Sequence, residues 1–500
     1  MAPRSMSAGR VLIAAVLSVA LLAGCGGSRA DHAAIVAVGN GYAAPDVQRE
    51  IQAAADLAAA KVAAEAVTPV SGAVVPPVAG APAITAPLSA ASVADKGGDA
   101  PTPGTITAPS TGTTAGATAC PQQLSPVVLG QTLATSGLVG ATIGGLRGGL
   151  AVWAKDINAR GGLQCHPVQL IQLDDASDPA RVTANWNSMI HDRGAVAMVG
   201  AGVPIAIAAL RTAAERDKVP VVGGDVTAED WVHSPYLFPT GGAPLTSYDG
   251  GVIEAAKQAR GPRKAGLFYC VEASICTGLK NNYPHSAQRA GAALGPIQAV
   301  SLTQPDYTSE CQLMKAAGVN TLFLGLDGSA SIRAVRSCAS LNYFPTISMG
   351  AIGLSAAASA DAGLRRNQTF LGSGVVPYTT TDTPGIQSFH VATARYAPSA
   401  PEDQQTLLGW AAGKLLEAAL AKVSARARGG AITTQLVLDG LWQLKNETLD
   451  GLSPGATFTR GAPAKAIDCY YGLRLDEHGF GAVNGSKPVC FDADGHFQRK

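Results

Sequence analysis

Residues 127–224 alternate between a two-residue and a 3.6-residue hydrophobic period with hardly a gap, and that alternation limits the chain to one fold class. Val127-Val128-Leu129-Gly130 is a short apolar strand, followed by a Gly/Ser/Thr loop over 134–145. Leu146, Leu150, Trp153 and Ile157 recur at helical spacing, and Arg160-Gly161-Gly162 closes that helix. A second strand over 168–173 ends in Asp174-Asp175. Asp178-Pro179 then caps and opens a helix whose apolar face is Val182, Trp186, Met189 and Ile190. A third strand is expected over 195–199, a helix opened by Pro204, and a fourth strand over 219–222. Asp or Pro stands at helix starts and Gly at helix ends. Strands joined by helices of this length run parallel, so the fold class is α/β and this stretch is half of a doubly wound sheet. Such sheets bind at the carboxyl ends of their strands.

A second run of the same kind follows the crossing marked by Gly241-Gly242. Helices are expected over 244–259, 278–291, 307–317 and 329–341, and strands over 265–269, 297–302, 321–325, 346–349 and 371–376. Helices over 383–396, 403–425 and 433–444 come next, and the alternating tail over 469–491 reads as a terminal hairpin. Two similar halves with a late return to the first imply two lobes joined by several crossing segments. The boundaries drawn are 120–243 plus 376–440 for lobe 1 and 244–375 plus 441–500 for lobe 2.

What precedes the folded body reads as targeting and tether. Arg4 and Arg10 flank an apolar run over 11–23 that is too short to span a bilayer. It ends Leu22-Ala23-Gly24-Cys25-Gly26, which resembles a bacterial lipobox; the resemblance makes 1–24 a signal peptide and Cys25 the lipid-modified first residue. Within 25–119, residues 46–66 are expected as an Ala-rich helix and 68–119 as a Pro/Ala/Gly/Thr/Ser-rich linker with too little apolar surface to fold. Of nine Cys, removing Cys25 leaves Cys120, Cys165, Cys270, Cys276, Cys311, Cys338, Cys469 and Cys490. An even set in an exported chain suggests disulfides, and pairing sequence neighbours is one of many possible connectivities. No Cys/His cluster suggests a metal, and no cofactor is expected. A net charge of +1 with 15% charged residues lacks the basic stripe of a nucleic-acid binder.

In residues 124–491 the chain resembles a type I periplasmic binding protein of the leucine/isoleucine/valine-binding family, in the form of an anchored substrate-binding lipoprotein. The fragments that carry the resemblance are Asp156-Ile157-Asn158-Ala159-Arg160-Gly161-Gly162-Leu163, Leu173-Asp174-Asp175-Ala176-Ser177-Asp178-Pro179, Met198-Val199-Gly200 and Ser234-Pro235-Tyr236-Leu237-Phe238. It implies two Rossmann-like lobes that close on a small, amino-acid-like or other organic ligand and then present it to an ABC permease. It further implies a monomer that is extracytoplasmic and lipid-anchored to the membrane, and that makes and breaks no bond.

The family's contact positions carry over unevenly. Thr227 matches a threonine that binds the ligand carboxylate, with Asp225 two residues before it; Thr227-Ala228-Glu229-Asp230 can equally be a capping box. Pro204 replaces the serine expected after Gly202. Ile143 replaces an aromatic in the first loop, close to Ser136 and Gly137. In the second lobe the family's tyrosine aligns near Ile275, and its acidic residue near Ile352; Asp327 is the carboxylate that could substitute. An ammonium buried beside Ile352 would lack its counter-charge, which disfavours a standard branched-chain amino acid.

Two other classes compete with a binding protein for import. An enzyme would need a motif, and H-E-x-x-H, a complete P-loop and G-x-G-x-x-G after a strand are all missing. Gly413-Lys414-Leu415 fails the hydroxyl position of a P-loop, His166, His191 and His233 are scattered, and Asp174-Asp175 reads as a loop cap. A sensing or structural envelope lipoprotein on the same two lobes is the alternative function.

Overall fold

The computed structural model describes residues 120, 122–350, 353, 355–492 and 497–498. The signal segment, Cys25, the Ala-rich stretch and linker, and Ile352 lie outside the described residues.

The first lobe is built on strands β1 (Val127–Leu133), β2 (Val168–Asp174), β3 (Met198–Ala201), β4 (Val221–Gly224) and β5 (Leu237–Phe238). They pair in the order β2-β1-β3-β4-β5, all parallel. Helices α1 (Gly140–Ile143) and α2 (Gly145–Ala159) follow β1, α3 (Pro179–Trp186) follows β2 and α4 (Ile207–Asp217) follows β3. The expected apolar face of α2 is the real one: Leu146, Leu150, Trp153 and Ile157 are all buried. Asp178 caps α3, accepting from the Ala180 N–H at 2.7 Å, with Pro179 in the first turn. Beyond Trp186 that helix relaxes into a π turn, Asn187–Asp192. Pro204 does not open α4; a turn closed by the Ala206 N–H on Val203 O comes first.

The second lobe repeats the plan. Helix α5 (Pro244–Gln258) leads into β6 (Lys264–Cys270), α6 (Ser274–Arg289), β7 (Ala293–Val300), α7 (Thr308–Ala316), β8 (Thr321–Gly325), α8 (Gly328–Ser340) and β9 (Thr346–Met349). Short helices α9 (Ala356–Ala360) and α10 (Ala362–Arg366) precede β10 (Thr369–Ser373). The order β7-β6-β8-β9-β10 has the connectivity of the first sheet, and the antiparallel strand β11 (Cys469–Asp476) continues it. β11 carries β12 (Gly479–Ala482) as well as β13 (Val489–Phe491), and β14 (Phe497–Gln498) pairs with β13. Each sheet thus reverses winding direction beside its first strand, β1/β3 in one and β6/β8 in the other, which is where open α/β sheets form crevices.

Helix α11 (Pro384–Tyr396) is followed by α12 (Gln404–Lys422), which is apolar nearly all round and buried as such a helix must be. It lies so close on α2 that a Cβ on Gly149 would sit 1.8 Å from Thr406 O, and one on Gly409 2.2 Å from Leu146 O. Arg160 clamps the pair by two bonds to Glu417, at 2.9 and 3.0 Å. Helices α13 (Ser424–Arg428) and α14 (Thr434–Leu441) complete this layer, and Thr434 Oγ1 donates to Val196 O in front of β3. The chain does not leave the first lobe at 441. Phe458 packs edge-on against Phe238 of β5, with ring centres 5.1 Å apart, and only at Asp468-Cys469 does it rejoin the second sheet. Apolar spacing alone could not show that Phe458 belongs with a strand two hundred residues earlier.

Three segments therefore cross between the lobes, near Gly241-Gly242, Gly374 and Ile467 to Cys469. They are stitched by Gly242 N–H to Gly374 O and Ala243 N–H to Ile467 O, both 2.9 Å. Asp468 is anchored by Arg289 at 2.8 Å and Thr246 at 2.6 Å, tying the third crossing to α5 and α6.

Among the described residues four disulfides form, Cys120–Cys165, Cys270–Cys276, Cys311–Cys338 and Cys469–Cys490. Cys311–Cys338 joins α7 to α8 across 27 residues and is fully buried. Replacing both of its cysteines with Ala should lower unfolding free energy by about 3 kcal/mol, because the unfolded chain regains the entropy of the open loop. Urea titration under non-reducing conditions checks this; an unchanged midpoint would show that the bridge contributes nothing.

Candidate functional site

The strand ends of the two lobes face one another, and the lobes touch there. The first turn of α8 meets α1: a Cβ on Gly328 would lie 3.4 Å from Thr142 Oγ1. Nearer the crossings, the Tyr248 hydroxyl of α5 donates to Thr227 O, at 2.8 Å. Behind that bond, between the crossing segments and the end of β4, is a chamber of ≈ 20 Å³. Asp225, Thr227, Ser247, Tyr248, Ser373 and Leu408 are among its lining residues. That is room for one small polar group. In front of the bond is an open groove of ≈ 460 Å³, lined by Glu229, His233, Ile275 and Asn281 and also by Thr227 and Tyr248. The Thr227–Tyr248 pair is the partition between the two. A larger hollow of ≈ 670 Å³ lies beside Arg365, Arg474 and His478, but no first-lobe residue lines it, so it cannot serve closure.

Asp225 is the electrostatic centre of the chamber. It follows β4, is 3% exposed, and its Oδ2 accepts the Thr227 hydroxyl at 3.0 Å. Among the described residues nothing donates to its Oδ1. Burial pushes its carboxyl up to about 7, and the Thr227 bond only partly offsets this. Tyr248 is held well above the usual phenol range by burial and by the Asp225 charge.

Thr227 is not a helix cap. The helical turn Glu229–Val232 starts from Ala228 with no side-chain cap, and the Thr227 hydroxyl turns back to Asp225. Ile275 lies in the first turn of α6, half-buried, on the groove wall. These three residues the structure brings together. Ser136 is exposed and donates to Asp174 Oδ2 at 2.5 Å, away from the chamber lining. Asp174 also accepts from the Thr135, Ser136 and Ala176 N–H groups. Against a burial effect that raises it, these bonds hold its carboxyl well below the ordinary range. The Asp174-Asp175 pair thus fastens the loop after β1, with Asp175 accepting from Thr132 and Ser177. Gly202 spends its N–H on Thr132 O and its carbonyl on Ala134, and a Cβ there would meet Ile143 at 2.6 Å. Asp327 is the N-cap of α8, accepting from Ser329 and Ala330 N–H; burial raises its carboxyl and these bonds oppose the rise. Tyr248 and Ser373 are the wall residues that the sequence did not single out. Both sit in ordinary helical or strand patterns, and only the crossings bring them to Asp225.

A family model described as periplasmic binding protein matches residues 126–480. No curated protein sequence matches the chain. Among solved structures, a substrate-binding periplasmic protein from Ralstonia solanacearum is similar at 19% identity, over 71% of this chain and 99% of that one, with a TM-score of 0.62. A possible leucine/isoleucine/valine-binding protein from Rhodopirellula baltica is 17% identical over 73% and 98%, with a TM-score of 0.62. A fatty acid ABC transporter substrate-binding protein from Thermomonospora curvata is 17% identical over 72% and 91%, with a TM-score of 0.61. At these identities the structures speak for the fold, whereas the family model spans most of the chain. With two sheets of one winding order, three crossings and a chamber between them, the chain belongs to the periplasmic binding protein family.

Proposed function

We propose that this chain is an extracytoplasmic solute-binding lipoprotein of an ABC importer, anchored through Cys25, which captures a small organic solute by closing its two lobes. The observation that carries the reading is the chamber at Asp225 and Thr227, walled by residues of both lobes and by the segments that join them. The groove in front of it, ≈ 460 Å³, has the size of small-molecule sites, which run about 300–1,000 Å³. A solute that parts the Thr227–Tyr248 bond, with its head in the chamber and its body in the groove, would touch both lobes only when they are closed. Differential contact of that kind is what shifts a hinged equilibrium. The closed form is then what a permease would recognise, and release follows reopening. The relatives named as binding leucine, isoleucine and valine or a fatty acid are consistent with a solute that combines a polar head with an apolar body.

The test is small-angle scattering of the full-length chain with and without candidate solutes, paired with thermal unfolding. A true ligand should reduce the radius of gyration. It should also stabilise the fold by about 2.7 kcal/mol when present at 100 times its Kd. Stabilisation without compaction would count against lobe closure.

A further inference from the structure

The chamber is built for a positive charge. We infer that Asp225 is a specificity-determining residue that pairs with a protonated amine on the solute, so the ligand class is small organic ammonium compounds rather than simple carboxylates. This deepens the solute-binding reading and rests on it.

Three observations converge. Asp225 is buried in the chamber wall with one carboxylate oxygen that no group among the described residues satisfies. Such an oxygen is costly to bury unless a partner arrives. Two of the hydroxyl protons around it are already committed: Thr227 donates to Asp225 Oδ2 and Ser247 to Ala243 O. These groups therefore offer the chamber acceptor lone pairs and no proton. A carboxylate head entering here would meet Asp225 as a like charge and find the Thr227 hydroxyl, its natural donor, turned away. An ammonium brings three N–H donors and a charge that a desolvated carboxylate complements. The chamber's ≈ 20 Å³ suits that head and little more, and the apolar body reaches the groove beside Ile275 where the Tyr248–Thr227 bond parts. Because the counter-charge comes from the first lobe, a ligand amine needs no acidic partner from the second.

Four molecules in two matched pairs test this: pentylamine against pentanoate, and benzylamine against benzoate. Calorimetry and scattering are run on the full-length chain and on Asp225→Asn, with Asp225→Ser as the substitute if the first variant folds poorly. The expected result is binding with compaction by at least one amine, none by its carboxylate partner, and an amine affinity reduced roughly 100-fold or more in the variant. Binding of the carboxylates, or an amine affinity unmoved by Asp225→Asn, overturns the inference and leaves solute capture standing. Silence from all four also overturns it. Solute capture survives that silence if a mixed pool of neutral and acidic metabolites compacts the chain, and falls if nothing does.

Discussion

Asp225→Asn should stabilise the unliganded chain by about 4 kcal/mol at about pH 8 and by little near pH 4. The reason is the position of Asp225. A carboxyl raised from its ordinary 3.8 to about 7 binds its proton more tightly in the folded chain than in the unfolded one. Its contribution to stability is therefore fully present below about pH 4 and is lost as pH rises through about 7. A difference of about three units is worth about 4 kcal/mol at 1.4 kcal/mol per unit. Thr227 is the hydrogen-bonding neighbour and Tyr248 the titratable group that shares its field, and neither changes charge in this window. Other buried carboxyls, such as Asp175 (pushed up to about 6 by burial), Asp249 and Asp403, slope the same way, while Asp174 and Asp217 slope against them. The measurement is therefore the difference between variant and parent, by urea titration across pH 4 to 8. A gap that does not widen with pH would mean that the carboxylate is solvated or already paired. A bound ammonium should close the same gap, linking stability to the specificity argued above.

How much of this the residues disclose differs from element to element. The face of α2 was visible because its four apolar residues obey the helical period and all become buried. The cap and proline of α3 were visible because both act within one turn. The apolar run that marks strand β1 in the sequence ends at Gly130, where polar Gln131 and Thr132 follow. The strand runs on to Leu133, since Gln131 Nε2 donates to Gly200 O and Thr132 Oγ1 to Asp175, so both are buried at no hydrogen-bonding loss. The sequence predicts helix α6 from Gly278, but it begins at Ser274, where no side chain caps it, and Pro284 sits in its interior. The candidate site divides along the same line. Asp225 and Thr227 stand two residues apart after a strand and could be noticed together. Their partner Tyr248 is twenty-one residues on, in a helix whose neighbouring residues are equally buried, and nothing local distinguishes it. Contacts closed by tertiary packing, like Phe458 on Phe238, leave no periodic trace.

Gly241→Ala should cost about 3 kcal/mol and abolish solute-induced compaction, because the crossings leave no room for a methyl group. A Cβ at 241 would lie 2.0 Å from Gly374 O and 3.1 Å from Val375 Cγ1. The obstacle is backbone, which cannot rotate aside as a side chain can, so the first and second crossings must separate. Separation strains the bond from Gly242 N–H to Gly374 O and the one beside it from Ala243 to Ile467. Overpacking of this kind typically costs 1–3 kcal/mol or somewhat more. The functional loss should exceed the loss in stability. The displaced crossings bound the chamber directly, Gly241 and Gly374 both lining it, so Asp225 and Tyr248 would no longer face one another as closure requires. Gly148→Ala supplies the control. It lies exposed within α2 with nothing near the added methyl, and should gain rather than lose, by about 0.5–1 kcal/mol, through helix propensity. Scattering and urea titration on both variants decide the matter. If Gly241→Ala compacts with an amine as the parent does, the crossings yield more than a packed hinge can, and closure must turn about some other point.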